Sequence, residues 1–81
     1  MNRKQMANRI INGLADEFIH DIDCGDEVLS GMNKDELVEL VYSRLIYGTR
    51  AKHFKFLTAD WIRQTIVKAL DKACYNWGVE L

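Results

Sequence analysis

The chain has 81 residues, 48% of them apolar, which suits one domain spanning 1–81 with a thin but real core and excludes a disordered chain. Its net charge of −1 excludes a global field favouring nucleic acid or an anionic membrane, and no apolar run approaches the roughly 20 residues that span a bilayer. The two cysteines, Cys24 and Cys74, are too few and too far apart for a disulfide framework and suit a reducing compartment.

Proline is absent, in keeping with uninterrupted helices. The N-terminal stretch MNRKQMANRII has basic residues but no sustained apolar run after them, because Asn12, Gly13, Asp16 and Glu17 interrupt it. It does not read as a signal peptide, and a cytoplasmic protein is expected. From Met6 the apolar residues fall in pairs at helical spacing: Met6 and Ala7, Ile10 and Ile11, Leu14 and Ala15, Phe18 and Ile19, then Ile22. The pattern predicts a first helix over 4–23, stopped by a left-handed Gly25. Gly13 lies inside this helix on its polar side, at a cost of about 1 kcal/mol relative to alanine and with no packing reason in the sequence.

A second helix is predicted over 34–47. Asn33 and Glu36 have the spacing of a capping box, and Met32 with Leu37 that of a hydrophobic staple. Leu37, Val38, Val41 and Leu45 form its apolar face, and Gly48 is the expected C′ residue. A third helix is predicted over 59–77, with Thr58 as N-cap, Asp60 in the first turn and Leu57 and Ile62 at the staple positions. Ile62, Ile66, Ala69, Leu70, Ala73 and Trp77 line its apolar face, and Gly78 ends it. Residues 24–32 form an acidic turn with a short helical turn at 26–30. The connector 49–57 alternates Phe54 and Phe56 with Lys52, His53 and Lys55, and fits an extended piece or a short helix equally well. The expected fold is all-α, a three-helix bundle or a more open three-helix array.

The near-neutral total hides a polarised chain. Asp16, Glu17, Asp21, Asp23, Asp26, Glu27, Asp35, Glu36 and Glu39 fall within 16–39, against Lys34 alone. Arg44, Arg50, Lys52, Lys55, Arg63 and Lys68 fall within 40–68, against Asp60 alone.

The motifs of chemistry are weak. A calcium loop counted from Asp21 has Gly25 one place early, Asp26 where glycine is required and Met32 in place of the bidentate carboxylate. A zinc site would need His20, Cys24, His53 and Cys74 to meet, with no paired-ligand spacing to bring them together. Cys24 stands among acids near a helix C-terminus, which disfavours a thiolate, and Cys74 reads as helix packing. No phosphate loop or nucleophile elbow is present. The chain is therefore expected to be non-enzymatic, with no cofactor and no bound metal.

Two binding readings remain. In the first, the protein binds another protein. Asp16, Glu17, Asp21, Asp23, Asp26 and Glu27 present an acidic surface, and Trp61 and Tyr75 serve as aromatic anchors. Such a surface suits a stoichiometric inhibitor or decoy that occupies the basic channel of a nucleic-acid-handling partner, a role often taken by small compact chains of phages and other mobile elements. A homodimer pairing the acidic half with the basic half about a two-fold axis fits the same layout. In the second, nucleic acid binds to Arg50, Lys52, Phe54, Lys55 and Lys68, cations interleaved with an aromatic ring. Neither reading involves a membrane.

Overall fold

The computed structural model describes all 81 residues. There is no strand. Helix α1 runs Arg3–Asp23, α2 is a single turn at Glu27–Ser30, α3 runs Lys34–Tyr47 and α4 runs Ala59–Trp77, with a 3₁₀ turn at Ala51–His53 between the last two. The ends of the helices are set locally. At the start of α3, Asn33 accepts from the Glu36 backbone at 2.8 Å while the Glu36 side chain accepts from the Asn33 N–H at 3.0 Å, so two orphan donors are satisfied reciprocally. Thr58 accepts from Trp61 N–H at 3.1 Å to open α4. Asp26 caps the short α2 through Leu29 N–H at 2.9 Å. Helix α1 begins one residue earlier than its apolar pairs indicate, because Asn2 and Gln5 form a second capping box. Gly25 (φ +94°) and Gly78 (φ +67°) take the left-handed conformation that follows α1 and closes α4.

The core consists of 17 buried residues, all apolar. It draws Ala7, Ile11, Ala15 and Ile19 from α1, Leu37 and Val41 from α3, and Ile62, Ile66 and Leu70 from α4, the faces that the 3.6-residue period selects. Helices α1 and α4 form the most extensive interface. They run in the same direction, since Lys4 lies over Trp61 near their starts and Asp16 meets Trp77 near their ends. Helix α3 runs against both: Lys34 meets Asp71 and Glu39 meets Arg63 on α4, while Arg44 sits over Phe18 on α1. The 21 residues of α1 rise about 31 Å and account for the 34 Å long axis of the molecule.

Three expectations change in three dimensions, and one open alternative is settled. Of the two forms open to the 49–57 connector, the short helical one is present, as the 3₁₀ turn at Ala51–His53. Phe54, expected on a nucleic-acid-facing surface, is 3% exposed and belongs to the core, where no base can stack on it. Gly48 ends α3, but with φ −90° and ψ −174°, an extended rather than left-handed backbone. What requires glycine there is close approach: a Cβ would lie 2.3 Å from the Arg44 carbonyl oxygen. Trp77, placed on the core face of α4 by periodicity, instead reaches over α1. Its Nε1 donates to Asp16 Oδ1 at 2.8 Å and its ring lies 4.4 Å from that of His20.

Candidate functional site

The up-down-up course of α1, α3 and α4 sorts the charges to opposite ends of the long axis. One end gathers the C-terminus of α1, α2, the N-terminus of α3 and the C-terminus of α4. It holds Asp16, Glu17, Asp21, Asp23, Asp26 and Glu27, joined by Asp35 and Glu36 in the first turn of α3. Three cations reach this half: Arg44 lies over Phe18 and lines a groove with Glu17, and two more come from α3 and α4. Lys34 is engaged by Asp71, and Lys72 lines a shallow groove with Asn12, Asp16 and Asn76. The molecule's two ion pairs, Lys34–Asp71 and Glu39–Arg63, leave the carboxylates of α1 and α2 without a cationic partner. Asp16 accepts from Trp77, and Asp26 serves as a cap. Val28, on α2 between Glu27 and the buried Leu29, is 76% exposed, and Tyr75 on the last turns of α4 is 88% exposed.

These charges oppose the helix that carries most of them. A helix end favours acids at its N-terminus and bases at its C-terminus. Helix α3 obeys this, with Asp35 and Glu36 in its first turn and Arg44 in its last. Helix α1 does the reverse. Arg3 and Lys4 occupy its first turn with no acid beside them, and Asp21 and Asp23 lie in its last, where His20 is the one basic side chain. Each such placement is unfavourable by roughly 0.3–1 kcal/mol at low ionic strength. Local helix stability therefore does not account for where these charges sit.

The other end is basic, and part of it could not be assembled from the linear sequence. The N-terminus of α1 lies against the 49–57 connector, so Arg3, Lys4 and Arg9 join Arg50, Lys52 and Lys55. One groove is lined by Met6, Arg9, Ile10, Arg50 and His53. A second is lined by Asn2, Arg3, Lys4, Phe56 and Leu57, and a third by Ile46, Lys52, Phe54 and Lys55. The aromatic ring exposed here is Phe56 (67%), with the Arg3 guanidinium 4.6 Å and the Lys55 ammonium 5.6 Å from its centroid. Tyr47, at the end of α3, is 84% exposed. The N-termini of α1 and α4 both open here and add their positive dipole ends.

Compared with protein-family models, curated proteins and solved structures, the chain matches none.

The two sets of expected contact residues are therefore divided differently from the sequence reading. The six acids lie along the second half of α1 and on α2, with Glu17 in a groove shared with Arg44 and Asp16 in one shared with Lys72, and Tyr75 lies in the same half. Trp61 does not: it is half-buried at the basic end under Lys4. Arg50, Lys52 and Lys55 come together around the connector. Lys68 is exposed but sits midway along α4, roughly 15 Å of helical rise beyond Thr58. Arg63 is committed elsewhere, bidentate to Glu39 at 2.8 and 3.0 Å and over the Tyr42 ring at 4.0 Å. That hydrogen bonding holds the Glu39 carboxyl below its ordinary range and raises the Arg63 guanidinium.

The nucleophile and ligand candidates are likewise dispersed. Cys24 Sγ lies 3.5 Å from His20 Nε2 on the exposed end of α1. His53 belongs to the basic end, beside Met6 and Arg9. Burial, with Asp71 beside it, pushes the Cys74 thiol up, away from the thiolate that nucleophilic chemistry requires. No three His, Cys, Asp or Glu side chains converge on a point able to hold a metal ion, and no helix is long and apolar enough to cross a membrane.

Proposed function

We propose that this protein is a non-enzymatic protein-binding module, a three-helix bundle with two short helical turns added, that docks its acidic end onto a basic surface of its partner. The observation that carries this reading is the set of carboxylates on α1 and α2, which lack cationic partners and lie where they disfavour α1. Charges kept at a local cost are reasonably kept for a contact outside the chain. Val28 supports a protein rather than a simple cation as that contact. It is an apolar side chain raised among Asp26, Glu27 and the end of α1, in the arrangement of an anchor within a charged rim. Tyr75 adds a second exposed anchor in the same half. A basic surface of this complementarity is typical of a nucleic-acid channel, so stoichiometric inhibition of a nucleic-acid-handling protein is the specific form of the proposal. The non-enzymatic part rests on Cys74 being held as a thiol and Cys24 standing among acids.

The test is capture of partners from the natural host on the immobilised chain, followed by affinity measurement with the purified partner. A variant carrying Asp21→Asn, Asp23→Asn, Asp26→Asn and Glu27→Gln keeps an acceptor at the α2 cap and should fold. Its affinity for the partner should fall at least tenfold, and Val28→Ala should weaken binding without changing the salt dependence. A partner that binds the quadruple variant as tightly as the wild type overturns the reading.

A further inference from the structure

The basic end is a second surface, joined to the acidic half by a groove that Glu17, Arg44 and Arg50 line. We propose that it binds single-stranded nucleic acid. Six cations, Arg3, Lys4, Arg9, Arg50, Lys52 and Lys55, surround the 49–57 connector, and none of them forms an ion pair. Unpaired cations at this density repel one another, and a polyanion relieves that repulsion by bringing phosphates between them.

The grooves show why a nucleic acid fits better than a merely acidic protein. Three shallow depressions ring the connector, of about 600, 280 and 250 Å³. Each combines two of the cations with an apolar floor: Arg3 and Lys4 with Leu57, Lys52 and Lys55 with Ile46, and Arg9 and Arg50 with Ile10. A strand offers the matching alternation, a charged phosphate followed by a flat, largely apolar base. An acidic peptide offers carboxylates without planar faces to cover the rings.

Phe56, within the connector, has its ring open to solvent between Arg3 and Lys55, and Tyr47 is exposed at the end of α3. An exposed aromatic ring among cations is a stacking surface that accepts any base. The Arg3 guanidinium, already 4.6 Å from the Phe56 centroid, supplies a second planar surface against which a base can rest. Duplex is disfavoured by shape. Major-groove readout needs a helix or ribbon that enters the groove, whereas this surface is the blunt end of a body 21 × 20 Å across.

The experiment is fluorescence anisotropy of a labelled twelve-residue oligothymidylate with the full chain, titrated from 20 mM to 300 mM salt. Binding is expected at low salt. The slope of log K against log salt should be about −2 to −3, corresponding to three or four phosphates at roughly 0.7 each. Phe56→Ala should weaken binding by roughly tenfold with the slope unchanged, because it removes stacking and no charge. Lys52→Glu with Lys55→Glu should abolish binding, while neutralisation of Asp21, Asp23 and Glu27 should leave it intact. Three results overturn the proposal: no binding at 20 mM salt, equal competition by a duplex of the same phosphate concentration, or Phe56→Ala binding as wild type. The last would assign the surface to generic polyanions, and anionic vesicles or the acidic end of a second copy would then be the ligands to examine.

Discussion

Helix α1 is charged against its own dipole, and a single exposed residue tests this. Asp23 closes the helix, is exposed and makes no side-chain hydrogen bond or ion pair. Neutralising it as Asp23→Asn removes one unfavourable charge–dipole interaction of about 0.5 kcal/mol, and reversing it as Asp23→Lys adds an attraction of similar size. The expected gains are about 0.5 and 1 kcal/mol. In a chain of this length 1 kcal/mol corresponds to a midpoint rise of about 4–8 °C. The assay is thermal unfolding followed by circular dichroism at 20 mM and 500 mM salt. At the higher salt the screening length falls to roughly 4 Å, and most of both gains should vanish. Lysine also has a better helix propensity than aspartate, a contribution salt does not screen. Asparagine has no such advantage and isolates the charge effect. If both variants are less stable than the wild type at 20 mM salt, Asp23 has a structural role, and the argument from misplaced charge to an external contact fails with it.

Further outcomes follow from particular contacts. A Cβ on Gly13 meets nothing within 4 Å, whereas one on Gly48 would lie 2.3 Å from the Arg44 carbonyl oxygen. Gly13→Ala should therefore stabilise by up to about 1 kcal/mol and Gly48→Ala should destabilise by about 1–3 kcal/mol, opposite signs for one substitution in the same denaturant titration. Phe54→Ala should cost about 3–5 kcal/mol because it opens a cavity under the connector, while Phe56→Ala should stay within about 0.5 kcal/mol; similar urea midpoints for the two would contradict the assignment of one ring to the core and the other to the surface. Because its folded-state carboxyl is held below the ordinary range, Glu39 contributes stability above its unfolded pKa and loses it as pH falls through the folded value. Urea midpoints at pH 7 and about pH 3 should accordingly drop further for the wild type than for Glu39→Gln, and parallel drops would show that the Arg63 contact is absent in solution.

The divided charge also bears on association. An acidic end and a basic end on one body can meet about a two-fold axis, as the sequence suggests, or end to end in an open series. The first closes as a dimer and the second does not. Concentration-dependent sedimentation at low salt separates the two, and the surface charges involved make either form sensitive to ionic strength.

Much of the architecture was legible without coordinates. The Asn33–Glu36 box, Thr58, Gly25 and Gly78 act on backbone groups within five residues, and apolar residues three and four apart mark the buried face of each helix. Such signals are local, so α3 and α4 have the boundaries that the sequence predicts. The Asn2–Gln5 box carries the same kind of signal and marks the true start of α1. The acidic end was legible too, because its carboxylates are contiguous around one bend.

Tertiary structure alone decided the rest. Arg3, Lys4 and Arg9 meet Arg50, Lys52 and Lys55 only because α1 and α3 run in opposite directions and bring the start of one beside the end of the other. Phe54 and Phe56 are two positions apart in a segment with no regular period, so nothing local distinguishes the ring that fills the core from the ring that faces water. Trp77 lies on the correct side of α4 to be buried, but the core has ended by that turn, and its indole finds Asp16 and His20 instead. Sequence determines what lies within a turn or two of each residue. Which distant faces come together depends on helix direction and on where the core stops, and both are properties of the whole chain.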